Sequence, residues 1–290
     1  MSIVNLLREI GCRIASKTGL YNPARILYRT FLDIPGKKRR RAKRDFYEQI
    51  IKPGDLVFDV GANVGTYSEV FASLGAHVIA IEPLPDNARI LRNCRYRRRI
   101  KVLQMAVGAQ EGTGKFHVAS SHAMGSMSSE WIEIALASPR LRGCTWGKEI
   151  EVTIATLDTL CCAYGVPDFI KIDVEGYEEC VLEGLSVQPR CLSFEFNPEI
   201  LEVAEKCLQK PIFDSSSECN YVVGQPVHFS LDHWESREVV MSHLRDARVN
   251  LYGDIFVRRP LTGSSRAPAI VGKAAVRRCR ANGRFVSDTY

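Results

Sequence analysis

"FDVGANVGTY" (58–67) decides how the rest of this 290-residue chain is read. An apolar strand ends beside Asp59, turns through Gly61 and Gly65, and continues as a helix. That helix carries Tyr67, Val70, Phe71 and Leu74 on one face, at i, i+3, i+4 and i+7, and Gly75 stops it. A strand–turn–helix of this kind aims the N–H groups of a helix N-terminus at the crevice above a parallel sheet, where nucleotide-like ligands bind. Gly61 permits the tight turn, and Gly65 lets the helix lie close to ligand and sheet.

The next strand, "HVIAIE" (77–82), ends at Glu82, a carboxylate placed to accept both hydroxyl protons of a ribose. A dinucleotide fingerprint requires a second glycine to admit a pyrophosphate, and position 63 is Asn. A cofactor without phosphates removes that demand, and S-adenosylmethionine fits. The candidate cofactor residues are therefore Asp59, Gly61, Asn63, Gly65 and Glu82. Met105 and Ala106, at the end of a third strand (101–107), are candidates for lining the adenine.

Outward from this unit the chain alternates strand and helix. "DLVFDV" (55–60), "HVIAIE", "KVLQMAV" (101–107), "DFIKIDVEG" (168–176) and "RCLSFEF" (190–196) are near-continuous apolar strands, and helical patterns separate them. Such strands imply an α/β fold with a doubly wound, mostly parallel sheet covered by helices on both faces. "CNYVVG" and "DIFVRR" (254–259) suit a late antiparallel pair. Residues 1–52 read as an N-terminal helical appendage whose last helix, within "AKRDFYEQIIK", closes at Pro53-Gly54, 53–260 as the main domain, and 261–290 as a flexible basic tail. The stretch 117–147 mixes Ser, Gly and Met around a short helix near 130–137, and 224–252 lacks clear periodicity.

Three blocks occur in order between about Asp55 and Glu195: "DVGANVG", "EPLP" and "KIDVEGYEECVLEG". With "ATLDTL" between them, they resemble the FkbM family of S-adenosylmethionine-dependent methyltransferases. The resemblance implies a class I methyltransferase, Rossmann-like fold with seven strands, the last antiparallel. It also implies methylation of a hydroxyl oxygen on a saccharide or other small hydroxylated molecule.

In "IKIDVEGYE", Asp173 follows an apolar strand and would face the crevice at its carboxyl end. Glu195 ends the fifth strand at the same rim. These two are the candidates for handling the acceptor, since a carboxylate in a partly desolvated cleft can act as a base. Lys171 alternates with Ile170 and Ile172, snorkelling or paired with an acid, and no catalytic role is assigned to it. His117, His122 and His228 are weaker candidates for a base. No His, Asp or Glu cluster has ligand-like spacing, so the sequence does not indicate a metal and leaves open whether one is needed.

The net charge of +6 is concentrated in "KKRRRAKR" (37–44) and "RILRNCRYRRRIK" (89–101), without whose fourteen cations 25 basic residues face 33 acidic ones. Such patches attract anionic polymers or lipids, which leaves a nucleic-acid or glycolipid methyltransferase as one alternative. Few aromatic residues accompany the Arg runs, which argues against single-stranded RNA. A non-catalytic methyltransferase-like binding module is the other alternative; Gly61, Gly65, Glu82 and Asp173 together argue against it. Ile3, Leu6, Leu7, Ile10 and Ile14 form a helical stripe ahead of the basic run, which suits docking of that helix on the main domain or, as the alternative, peripheral contact of residues 3–44 with anionic membrane. No apolar run approaches the roughly 20 residues of a spanning helix, and Arg8, Glu9 and Arg13 come too early for a secretory signal, so the expectation is a cytoplasmic protein. The ten cysteines include no C-x-x-C pair and read mainly as buried thiols.

Overall fold

The computed structural model describes residues 34–119, 125–141, 145–246 and 252–260. The N-terminal stripe, His122 and the 261–290 tail lie outside the described residues. The described residues start with α1 (Ile34–Tyr47), then alternate through β1 (Leu56–Val60), α2 (Thr66–Ser73), β2 (His77–Ile81), α3 (Pro85–Arg92) and β3 (Ile100–Leu103). The rhythm breaks at β4 (Ala106–Val107), β5 (Gly112–Ala119), β6 (Gly125–Ser126), α4 (Ser129–Ala137) and β7 (Trp146–Ala155). It resumes with α5 (Leu157–Tyr164), β8 (Phe169–Ile172), α6 (Glu178–Glu183), β9 (Cys191–Phe196), α7 (Leu201–Leu208), β10 (Glu218–Val223), α8 (Arg237–Asp246) and β11 (Gly253–Arg258).

The central sheet has seven strands in the order β10-β11-β9-β8-β1-β2-β3. Only β11 runs against its neighbours β9 and β10; the pairings of β9, β8, β1, β2 and β3 are parallel. This is the class I methyltransferase topology that the resemblance implied. Alternation along each strand divides the core into two layers. Phe58, Val60, Ile170, Ile172, Leu192 and Phe194 pack on one face with α5, α6, α7 and α8. Val57, Phe169 and Phe256 pack on the other with α1, α2 and α3.

The basic run does not interrupt α1, because Lys and Arg are good helix formers. Lys38, Arg39 and Arg41 are exposed, whereas Phe46 and Tyr47 are buried among Phe71, Phe169 and Phe256. Tyr47 and Phe71 meet edge to face with ring centroids 4.9 Å apart. Each buried ring stabilises the fold by about 2–3 kcal/mol. The helix ends at Tyr47 and does not reach Pro53, because residues 48–50 form a turn whose amides bond back to Arg44, Phe46 and Tyr47.

Two elements differ from the sequence reading. Residues 101–107, read as one strand, form two: the chain leaves the central sheet after Leu103, and Ala106–Val107 pair with Ile154–Ala155. They open a second sheet, β4-β7-β5-β6, which walls one side of the crevice. Helix α5 follows β7 directly, with the Thr156 side chain capping it by accepting from Thr159 N at 3.1 Å. Helix α8 falls in the stretch read as aperiodic and buries Val240, Met241 and Leu244. Among the described residues, no helix is long and apolar enough to cross a membrane.

Gly61 has φ +80°, and a Cβ there would lie 1.8 Å from the carbonyl oxygen of Asp173. Gly65 has φ +83°, but its Cβ would meet only the side chain of Leu91. Alanine pays the left-handed penalty of about 1–2 kcal/mol at either site. At 61 it must also displace backbone. Gly61→Ala is therefore expected to lower the midpoint of thermal unfolding well beyond Gly65→Ala. Equal melting shifts would contradict the close contact between the first turn and the end of β8.

Candidate active site

The C-terminal ends of β1, β2 and β8 open into a cavity of about 380 Å³. Its floor is the turn between β1 and α2. The amides of Gly61 and Ala62 both donate to the Ile81 carbonyl at 3.0 Å, which binds the turn to β2. Asn63 takes φ +51°, a left-handed conformation that Asn tolerates, and its Oδ1 accepts from Val64 N at 2.6 Å. Asn63 N in turn donates to Glu82 Oε2, and Leu84 N donates to Glu82 Oε1, each at 2.8 Å. Glu82 is thus held from both sides at the cavity wall while only 4% exposed. Oε1 also accepts a longer bond from Asn87 Nδ2 at 3.5 Å, and Oε2 keeps a second lone pair. Burial raises its pKa to about 7, against the pull of those two N–H bonds.

Met105 and Ala106 line the same cavity with Leu84, Phe116 and Met127, so one end is apolar. Asp59 and Gly65 do not line it. Asp59 faces away beneath the turn, where its Oδ2 accepts from the Ser68 hydroxyl, and burial raises its pKa to about 6.

The other end is built on a lysine. Lys171 is 1% exposed and donates to Asp173 Oδ2 at 3.0 Å and Asp254 Oδ1 at 3.1 Å, with Tyr67 covering its Nζ at 4.6 Å from the ring centroid. Burial opposes its charge, but the two carboxylates outweigh burial and raise its pKa. Lysine and acid are paired, as one branch of the sequence reading had it.

Asp173 and Glu195 do converge, and Glu175 joins them: one oxygen from each lies within 4.8 Å of the others. Glu175 stands at φ +55°, a strained conformation of the kind that collects at functional sites. Burial, then Asp173 and Glu178, push its pKa up to about 8. Burial, then Asp173 and Glu175, raise Glu195 well above the ordinary carboxylate range. At such spacing the acids share protons, and they are also the described residues that could hold a hard divalent cation. Sequence reasoning missed Glu175 as a site residue and found no acidic cluster, because Glu195 arrives from another strand. The density of acids in "DVEGYE" was the available signal. Glu195 is steadied from behind: Arg140 donates to Asn197 Oδ1 at 2.9 Å, and Asn197 donates to Glu195 Oε2 at 3.1 Å. His117 pairs with Glu149 at 3.4 Å and His228 hydrogen-bonds the Phe229 carbonyl; neither lines the cavity.

The family model described as "Methyltransferase FkbM domain" matches residues 59–223. The chain belongs to the FkbM methyltransferase domain family. The 31-O-demethyl-FK506 methyltransferase FkbM of Streptomyces tacrolimicus is 31% identical over 163 residues, which are 47% of this chain and 61% of that protein. The match therefore spans less than two thirds of that relative. Among solved structures, the SAM-dependent O-methyltransferase of Thermotoga maritima is 12% identical, covering 77% of this chain and 66% of that one at a TM-score of 0.37. The precorrin-6y C5,15-methyltransferase of Geobacter metallireducens is 12% identical, covering 76% and 87% at a TM-score of 0.36. Likeness at these scores adds nothing to what the strand order already shows.

In this FkbM domain the loop bearing the acids is held by one more carboxylate. Glu178, 1% exposed, accepts from Val174 N at 3.1 Å and Gly176 N at 3.2 Å. Burial raises its pKa from the usual 4.5 to about 7. The folded state holds this proton more tightly than the unfolded chain. The group's contribution to stability is therefore complete below pH 4.5 and is lost as pH rises past about 7. Glu178→Gln keeps an acceptor for both amides and removes the charge. Relative to wild type, it is expected to be near neutral at pH 4.5 and stabilising by about 3 kcal/mol at pH 8. Chemical denaturation at the two pH values reads the difference, and a pH-independent effect would contradict the buried-proton account.

Proposed function

We propose that this domain is an S-adenosylmethionine-dependent O-methyltransferase acting on a hydroxyl of a saccharide or another small hydroxylated metabolite. The observation that carries the reading is Glu82. A buried carboxylate at the tip of β2 has its two oxygens oriented by Asn63 N and Leu84 N; Oε2 keeps a lone pair for one ribose hydroxyl, and Oε1 can take the other in place of its 3.5 Å bond from Asn87. The donor set fits the cofactor: an apolar end with Met105 and Ala106 suits adenine, and position 63 carries Asn where a pyrophosphate would need glycine. Asp59 and Gly65 belong to the same binding unit by shaping the turn from beneath. The relative's name, which contains an O-demethyl compound, agrees with oxygen as the acceptor atom.

The bound cofactor supplies a methyl carbon on a sulfonium, an electrophile with a good leaving group. The chain's own work is to orient an acceptor hydroxyl and remove its proton. Asp173 lines the acceptor end with one oxygen committed to Lys171, which suits it to orienting the hydroxyl. Glu175 and Glu195, whose proton affinities are raised, are the groups to take the proton.

Titration calorimetry with S-adenosylhomocysteine tests the cofactor assignment. Glu82→Gln keeps the shape and loses the charge, and affinity is expected to fall about ten- to a hundredfold. Unchanged affinity in a folded variant would remove the ribose assignment. Transfer of labelled methyl to a panel of sugars and hydroxylated metabolites tests the chemistry. Because the base must be ionised, turnover is expected to rise with pH up to about 8, the value to which Glu175 is pushed. Asp173→Asn and Glu175→Gln should each lower turnover about 10²-fold, with cofactor affinity changed less than about tenfold. A flat pH profile together with wild-type turnover in both variants would remove the acids from the chemistry.

A further inference from the structure

One cation in the cavity forms no ion pair among the described residues. Lys43 comes from the polybasic run of α1, yet it is 7% exposed and lines the cavity. Among the described residues no carboxylate or carbonyl lies within bonding distance of its Nζ; the contact it makes is with the face of Tyr67, 4.0 Å from the ring centroid. Its neighbours Asp173 and Asp254 are already bonded to Lys171, which approaches the same ring at 4.6 Å. A buried ammonium without an anionic partner is costly. Burial, and then the charge of Lys171, lower its pKa to about 8, so it keeps its charge at neutral pH with little to spare. An arrangement like this is stable once an anion enters.

The place of Lys43 indicates which anion. Tyr67 stands in the first turn of α2, one residue beyond the N–H groups of the loop 61–66. Glu82 ends β2, and Lys43 approaches Asp173 beyond β8 and Asp254 on β11; β1 lies between β2 and β8. Two strand spacings, about 10 Å, separate β2 from β8. A ligand with its ribose at Glu82 and its amino-acid end crossing β1 brings a carboxylate towards Lys43. We propose that Lys43 binds the α-carboxylate of the cofactor's amino-acid end, so that the helix carrying the polybasic run completes the cofactor site. The proposal rests on the S-adenosylmethionine reading given above. The rest of the cavity near Lys43 is rich in carboxylates, and an acceptor bearing its own acid would meet Asp173, Glu175 and Glu195 on the way.

The test compares two ligands in the 290-residue chain by titration calorimetry. S-adenosylhomocysteine carries the amino-acid end, and 5′-methylthioadenosine keeps the nucleoside and sulfur but lacks it. Lys43→Met, similar in length and neutral, is expected to weaken S-adenosylhomocysteine at least about tenfold. It should leave 5′-methylthioadenosine within about twofold, and thermal melts check that the variant is folded. Lys43→Arg, which keeps a cation, should recover most of the loss. If Lys43→Met binds S-adenosylhomocysteine as tightly as wild type, the proposal is wrong, and the anion is one carried by the acceptor. An equal loss for both ligands also overturns it, because the effect would then be on the cavity as a whole. Wild-type chain that binds neither ligand overturns the cofactor reading and this inference with it. Wild-type binding of both, with no selectivity in the variant, overturns this inference alone.

Discussion

The ammonium of Lys171, buried with two carboxylates, is the constraint around which the site is arranged. Lys171 lies on β8, Asp173 just beyond it, and Asp254 on β11, the strand that runs against its neighbours. Asp254 and Lys171 are separated by β9, so their bond spans a strand and ties the reversed edge of the sheet to its centre. In a low-dielectric interior, removing one member of such a group typically costs about 3–5 kcal/mol, because the remaining charges are left uncompensated. The group therefore holds Asp173 at the cavity and keeps the carbonyl of the same residue against Gly61. The turn after β1 and the loop that presents the acids pack through that approach and through the bond from Asp173 N to the Val60 carbonyl at 3.0 Å.

From this centre the cavity divides by chemistry. Towards β2 and the second sheet it is apolar, with Leu84, Met105, Phe116 and Met127 around one buried carboxylate, Glu82. Towards β8, β9 and β11 it is crowded with ionisable groups whose pKa values burial displaces. Displacement in the acids is upward: about 7 for Glu82, about 8 for Glu175, and well above the ordinary range for Glu195. Once ionised, carboxylates of raised proton affinity can take a proton from a hydroxyl without exposing the reaction to bulk water. Arg140 and Asn197 matter here although they touch no predicted ligand, because the carboxylate of Glu195 is oriented through them.

Helix α1 shows how composition misleads when position is unknown. Seven basic residues in eight read naturally as a surface patch for anionic polymers or lipids, and the exposed Lys38, Arg39 and Arg41 agree with that reading. The same helix buries Phe46 and Tyr47 in the aromatic cluster beneath β1 and β8, and this seating turns Lys43 inward to the face of Tyr67. Three residues separate Lys43 from Phe46, close to one helical turn, so packing the aromatic residues necessarily carries that lysine towards the sheet.

Most of the cavity's end at the first turn and Glu82 was legible in the sequence, because it is local. Gly61, Asn63 and Glu82 lie within one strand–turn–helix–strand unit, and the backbone needs of that unit dictate residue types at fixed spacing. Periodicity likewise announced the parallel strands β1, β2, β8 and β9, whose continuous apolar runs follow from burial on both faces. Strand order, the second sheet and helix α8 were not legible, since they depend on which distant segments pair once the core closes. The acceptor half belongs to that second kind. Asp173 and Glu195 could be named from their strand ends, but their union with Glu175, the pairing of Lys171 and the inward turn of Lys43 required β8, β9, β11 and α1 to meet. A sequence determines which groups can ionise; only tertiary packing sets the distances and the dielectric that decide what those charges do.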